Sequence, residues 1–518
     1  MGGEENLRLL SNQKLGPWLP YAVIVVAAVL LTLPIVLGPM RTNDSFWIDW
    51  VWVDQFAHQL GTGDAYPRWL AQSHAGLGSP VFYYYPPLAF YVTAPFVWAG
   101  LSVWAAILAM FFVAYVASGA SMYWWLKGRA GRPALGAILY VAAPYHAFNF
   151  YFRGAMAEFL ATAVIPIVMV GLARLSERKP WALPLTAVGY GTLICTHLPL
   201  ALLASLFLFG PYALLLGHRD SGALTRQAVA LALGVALAAI YLVPAFALAS
   251  YRDTASLWVL PTLRPSSWSL WYPGFADLNA MRDVLIIAGF LAIPLIVILL
   301  RVRSGWAAFG LLCIALGIGV VPALWTLPVL KSVQFPFRLM PIAEFAFATA
   351  IARAPAAKSP LALCLLPLAM TLFLVTAPAL PPGISLDELA HNHPDVPENL
   401  PPGPRPYTWP SRWALNLAVR HHDSVSSGGI TTEPIFYFRA WEVRCGGTLV
   451  PTFPAPQTQL LSYRGSGCEK RLVMTAPERW GAAISLAALL LLIAATFAAP
   501  RLRRRREPPI GGGEEVTR

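Results

Sequence analysis

The sequence predicts an all-α polytopic membrane protein with a small extracytoplasmic β-domain near its C-terminus. Three observations predict it. The chain of 518 residues is 57% hydrophobic and only 12% charged, about half the charged share of a soluble domain. Its mean hydropathy is +0.58. Apolar runs of roughly twenty residues, the length that crosses a hydrocarbon core, recur between short basic connections.

The first apolar run, 20–39, follows Arg8 and Lys14 and leads into Gly38-Pro39-Met40-Arg41. A cleavable signal has a shorter apolar core and a small-residue cleavage site, so this run reads as a retained first helix. Residues 40–86 then form a polar loop. The segment 87–99 reads as interfacial, because the next run, 101–126, ends in Lys127, Arg129 and Arg132. Those charges lie in the cytoplasm only if 87–99 does not cross.

With that choice the spans alternate in register: 133–147 outward, 158–174 inward, 181–196 outward to His197, and 198–217 inward. They continue with 227–247 outward to an aromatic loop (248–283), 284–300 inward, 306–327 outward, 339–352 inward, 360–380 outward and 480–499 inward. The expectation is twelve spans with both termini cytoplasmic. Every short cytoplasmic connection is then basic, which is the orientation rule for such proteins. The chain divides into a membrane domain (1–380, with outer loops 40–100 and 248–283), an outer segment (381–478), and a last helix with a basic tail (479–518). The outer segment opens with Pro381-Pro382 and Pro401-Pro402, which suits an extended linker. Alternating β-branched and aromatic runs follow, punctuated by Gly428-Gly429, Gly446-Gly447 and Gly465-Ser466-Gly467, the pattern of short hairpins.

The net charge of +12 follows the orientation pattern rather than a basic groove, so nucleic acid is not an expected partner. Cys195, Cys313 and Cys364 lie in apolar runs and read as small core residues. Cys445 and Cys468 lie in the outer segment and are disulfide candidates if that segment leaves the cytoplasm.

The ionisable residues that orientation does not explain collect at the outer ends of the spans. They are Asp44, Asp49, Asp54, Arg68 and His74 in the first loop, Arg153 and Glu158, His197, Arg252 and Asp253, and Lys331 and Arg338. Charges at the membrane boundary in several loops suggest one water-accessible cavity. Carboxylates beside arginines supply proton abstraction next to phosphate binding. Each also has a structural reading. Asp44 and Asp49 can cap an interfacial helix, Arg153 and Glu158 can form a helix-pairing ion pair, and His74 and His197 can be hydrogen-bonded boundary residues. Trp47, Trp50, Trp52, Trp69, Trp268 and Trp271 can form an interfacial aromatic belt.

Several short motifs occur in order: G-x-x-Y-P-R-W (Gly63 to Trp69), G-x-G-x-P (Gly76 to Pro80), Y-P-P-L (Tyr85 to Leu88) and A-P-Y-H (Ala143 to His146). Y-F-R-G-A-x-A-E (Tyr151 to Glu158), T-H-x-P (Thr196 to Pro199) and Q-F-P-F-R (Gln334 to Arg338) follow. With the Asp after the first helix, they resemble the bacterial membrane family labelled "6-pyruvoyl-tetrahydropterin synthase-related", of GT-C glycosyltransferase-like type. The resemblance runs over most of 20–350, and Tyr437–Trp441 resembles the family's outer β-domain. The pterin label does not carry over as an activity, since no histidine zinc site is present in the sequence.

The resemblance implies an enzyme of a bacterial inner membrane that takes a sugar from a polyprenyl-phosphate donor and passes it, with inversion, to an envelope glycan, lipid or protein acceptor outside the cytoplasm. It implies Asp44 as the base, with Asp49 or Glu158 in support. That family often has His before the Asp, whereas this chain has Asn43-Asp44, which leaves the choice of acid open. Arg153, Arg338 and Lys331 are then candidates for the donor phosphate. Arg68, Trp69, His74, Tyr85 and His197 are candidates for substrate or lipid contacts. The carboxylates leave a divalent metal (Mg or Mn) open without requiring one. Two other classes stay in view: a transporter or flippase for a lipid or solute, and a non-catalytic scaffold.

Overall fold

The computed structural model describes residues 16–41, 43–218, 220–255, 258–259, 263–272, 279–378, 383–403, 405–406, 408 and 410–504. Arg8 and Lys14, the 379–382 junction and the tail beyond 504 lie outside these.

Six described helices are long and apolar enough to cross a membrane, or seven if a bent pair counts as one span. The Met156–Ser176 helix is central, with 94% of its apolar window buried; Leu19–Val36 and the terminal helix, at 22% and 17%, face outward. Several expected spans are broken, and proline explains two of the breaks. Expected helix 133–147 is Pro133–Val141 followed by Pro144–Phe148 and a π-turn, Asn149–Arg153. Pro144 has no N–H and its ring meets the carbonyl four residues back, which ends the first piece. Pro199 acts likewise, separating Ala182–Thr196 from the next helix and leaving His197 extended between them (φ −155°). The expected 227–247 span is Ser221–Leu237 and Ala239–Ala247, bent by 66°. The expected 306–327 span is helical over Gly305–Gly317 and then turns into a 3₁₀ segment, Pro322–Thr326. Six or seven of the described helices thus have the length to span, and shorter apolar helices, among them Ala182–Thr196 and Gly305–Gly317, stand where other spans are expected.

The first loop is not a loop throughout. Phe46–Gly61 is a 16-residue helix, mostly buried. Leu88–Trp98 has 11 residues and is about 17 Å long, too short to cross by itself.

Among the described residues the outer segment holds seven strands in two antiparallel sheets, ordered β1-β2-β6-β5 and β4-β3-β7. The strands are β1 Val425–Ser427, β2 Ile430–Phe436, β3 Trp441–Cys445, β4 Thr448–Val450, β5 Thr452–Pro454, β6 Leu460–Arg464 and β7 Glu469–Leu472. Gly428-Gly429 closes the β1–β2 hairpin and Gly446-Gly447 closes β3–β4; all four have positive φ. Two-residue hairpins with the twist of type I′ need that conformation, which glycine adopts without strain.

Cys445 and Cys468 are disulfide-bonded across 23 residues. Closing such a loop is worth roughly 3 kcal/mol by chain entropy. The Cys445→Ser, Cys468→Ser double variant is therefore expected to lower β-domain stability by about that amount. Limited proteolysis, showing faster cleavage between β3 and β7, checks it.

The β-domain sits on the first loop. The Phe436 N–H donates to the Leu77 carbonyl (2.8 Å), and the His74 and Ala75 N–H groups donate to His393 and Asn392 (2.9 and 2.7 Å). Trp69 packs on Phe438 and Trp441 with ring centroids 6.0 and 5.5 Å apart. His393 meets Asp54 at 3.0 Å. The Trp52 indole donates to Asp395 at 3.0 Å.

Candidate active site

The chain after the first helix is stitched to the chain after the 133–148 helices. The Ser45 N–H donates to the Arg153 carbonyl at 3.0 Å. The Asn43 amide donates to Phe152 O at 2.9 Å, and the Arg41 guanidinium donates to Tyr151 O. This pairing fixes Asp44 beside Arg153. It also brings the Phe46 ring against Gly154, which turns with φ 63° and where a Cβ would collide with that ring. Gly154→Ala is expected to destabilise the protein by about 2 kcal/mol or more, since it adds left-handed strain to overlap. Thermal unfolding in detergent measures it.

Four groups from distant elements converge on Glu158, which is 1% exposed. Arg153 donates to its Oε2 at 2.9 Å, Arg338 to the same oxygen at 3.0 Å, and the Tyr145 hydroxyl to Oε1 at 2.6 Å. His197 Nε2 stands 3.9 Å from Oε2. The Leu200 N–H donates to His197 Nδ1 at 3.2 Å, so in the neutral ring the proton is on Nε2, facing the carboxylate. Phe335 lies under both guanidiniums, 5.7 Å from Arg153 and 4.7 Å from Arg338, a cation–π arrangement. Tyr145 also joins this cluster to a deeper one. Its N–H donates to Glu344 at 2.6 Å, and Glu344 pairs with His146 at 2.7 Å.

Asp49 is buried, and its Oδ2 accepts from the Met156 N–H at 3.1 Å. It therefore caps the start of the helix that carries Glu158 rather than its own. Burial pushes its carboxyl up to about 8, against the pull of that hydrogen bond. Asp44 differs. It stands in the left-handed region with φ 46°, which Asp tolerates, and its side chain accepts from Ser45 Oγ at 3.0 Å. By surface area it is exposed, although protein crowds around it. That crowding raises its carboxyl pKa, while Arg153 and Arg338 pull it down.

A cavity of about 620 Å³ opens over these groups. Ser45, Asp49, Trp52, Tyr85, Arg153, Glu158, His197 and Arg338 line it, as do Arg252 and, from the outer segment, Glu398 and Asn399. Cations beside a carboxylate cluster within one water-accessible recess can hold a phosphate and take up a proton.

The other candidates are placed elsewhere. Arg68 pairs with Glu478 at 3.1 Å, both buried, and donates to Ile240 O at 2.9 Å; it ties the last helix to the first loop. Trp69 is docked on the β-domain. His74 is fully buried against Phe436, and burial pulls its pKa down to about 3. Lys331 is exposed, with its ammonium 5.0 Å from the Trp258 ring centre. Among the described residues no three His, Cys, Asp or Glu side chains are grouped to hold a metal ion. The residues not singled out from sequence are Tyr145, Glu344, Glu398 and Asn399. Tyr145 lies inside the A-P-Y-H motif, which is the one signal available for it.

No family model matches the chain, and no curated protein matches it. Among solved structures it is similar to the arabinofuranosyltransferase AftD from Mycobacteria, at 18% identity and TM-score 0.46, over 70% of this chain and 28% of that one. It thus spans less than a third of AftD. It is also similar to ArnT from Cupriavidus metallidurans in the apo state, at 16% identity and TM-score 0.32, over 68% of this chain and 77% of that one. For ArnT bound to undecaprenyl phosphate the values are 12% and 0.30, over 69% and 78%. The chemistry of the site rests on its own geometry.

Proposed function

We propose that the chain is a membrane glycosyltransferase of GT-C type, which moves a sugar from a polyprenyl-phosphate donor to a cell-envelope acceptor on the extracytoplasmic side. One observation carries the reading: Arg153 and Arg338 stand together on Glu158 in the wall of one cavity, and the exposed Asp44 adjoins Ser45, which lines that cavity and is hydrogen-bonded to the Arg153 carbonyl. Planar guanidiniums suit a phosphate leaving group, and an accessible carboxylate suits a base.

In this mechanism Asp44 takes the proton of the acceptor hydroxyl. The acceptor oxygen bonds to the anomeric carbon from the face opposite the donor phosphate. The bond from that carbon to the phosphate oxygen breaks, and the polyprenyl phosphate leaves as an anion beside Arg153 and Arg338, with inversion at carbon. Glu158 is engaged by Tyr145 and both arginines, so it positions the cations rather than accepting the proton. Asp49, which caps the helix that carries Glu158, supports the same wall. If a divalent metal binds, Asp44 is its available carboxylate.

The test is transfer by the purified full chain in liposomes that contain a polyprenyl-phosphate-linked radiolabelled sugar. Release of free polyprenyl phosphate with labelled acceptor supports the reading. Movement of the intact lipid between leaflets without transfer favours a flippase.

A further inference from the structure

The cavity has a second polar end, away from Glu158. There the outer segment makes a 3₁₀ turn, Pro397–Asn399, whose Glu398 and Asn399 face the cavity together with Arg252 from the chain after the bent helix pair. This end is built, not incidental. The Asp253 N–H donates to the Leu400 carbonyl at 2.9 Å. Arg405 pairs with Asp253 at 2.9 Å, and Trp52 holds Asp395 three residues before Glu398.

Within this frame two polar atoms are left over. Glu398 Oε2 and Arg252 Nε are both out of solvent, and neither has a hydrogen-bond partner among the described residues. No ion pair joins the two side chains among those residues either. A buried donor or acceptor left unmade costs about 1–3 kcal/mol. Such groups are rare in folded proteins unless something satisfies them.

We infer that Arg252 and Glu398, with Asn399, form a second subsite in this cavity that binds the vicinal hydroxyls of a neutral sugar. The charges select the class. An anion is disfavoured by Glu398 and a cation by Arg252. A diol donates to the carboxylate and accepts from the guanidinium, satisfying both. Tyr84 and Trp52 belong to the same wall. Arg252 already lies over the Tyr84 ring, 4.9 Å from its centre. Burial, opposed by a hydrogen bond from its own backbone N–H and by Arg252 and helped by Asp395 and Asp253, holds the Glu398 carboxyl up to about 7, so it can also donate to a sugar oxygen. The inference deepens the proposed reaction and rests on it only for calling the sugar a substrate portion.

The experiment uses the full chain in nanodiscs with two probe sets. One is a panel of methyl glycosides, furanosides and pyranosides, followed by saturation-transfer NMR. The other is undecaprenyl phosphate. The expected result is that at least one methyl glycoside binds. Glu398→Gln and Arg252→Gln should each weaken it about tenfold or more, the loss of one charge-assisted hydrogen bond. Undecaprenyl phosphate should bind both variants within twofold of wild type, which also shows that they are folded. The inference is overturned if no glycoside binds the wild type, or if both variants bind it unchanged. Glycoside binding that depends on Glu398, in a chain that binds no undecaprenyl phosphate, leaves the subsite standing and removes the transfer reading.

Discussion

Asp44→Asn is expected to leave the protein folded and to reduce sugar transfer by about 10²- to 10⁴-fold, the usual contribution of a positioned general base. The substitution keeps size and shape. The left-handed backbone at this position, φ 46°, suits Asn as well as Asp, so the loop is not strained. Asn cannot accept the acceptor's proton. The pH profile adds a second check. Crowding by protein raises the Asp44 pKa, and the base works only when ionised. The wild-type rate should therefore fall with unit slope as pH drops through that raised value, and hold above it. Measuring transfer against pH alongside the thermal midpoint separates loss of chemistry from loss of fold.

Glu158→Ala should do the reverse, destabilising the protein by about 3–5 kcal/mol through the charges it leaves behind. Arg153 and Arg338 both donate to the lost oxygen, and Tyr145 loses its acceptor. Two largely buried guanidiniums would then keep only the exposed Asp44 as a nearby counter-charge. Glu158→Gln keeps the shape and one acceptor oxygen, so its loss should be smaller. A thermal midpoint ordered wild type, then Gln, then Ala is the expected series. A Glu158→Ala protein as stable as wild type would mean that the arginines are neutralised some other way, and would remove the positioning role.

Much of the layout was legible in the sequence because two physical signals dominate it. Apolar length marks segments for the bilayer, and paired glycines mark turns that need positive φ, as at Gly428-Gly429 and Gly446-Gly447. Helix breaks were less legible. Pro144 and Pro199 end helices by local chemistry, but the apolar runs continue across them, and run length alone merges the pieces. The Phe46–Gly61 helix carries acids and aromatics that look polar and irregular in sequence, the pattern of a loop. They are instead divided between a buried face and the cavity.

At the site, Asp49, Arg153, Glu158, His197, Arg338 and Tyr85 line one cavity, with Asp44 coupled to it. Arg68, Trp69, His74 and Lys331 do not line it. Arg68 looks like a substrate-binding cation until Glu478, far along the chain, is brought beside it. Trp69 and His74 look accessible until the β-domain covers them. Glu398 carried no signal, being one acid in a proline-rich stretch, and only the fold turns it into the cavity.

The central claim is that this cavity transfers a sugar from a polyprenyl phosphate with Asp44 as base. The most direct measurement is single-turnover transfer in liposomes by the purified full chain, wild type and Asp44→Asn, loaded with one polyprenyl-phosphate-linked radiolabelled sugar and an envelope extract as acceptor. The account predicts labelled acceptor and free polyprenyl phosphate in equal amounts from wild type, and neither from the variant at equal donor binding. Equal transfer by the two proteins, or donor binding without transfer by either, would contradict it.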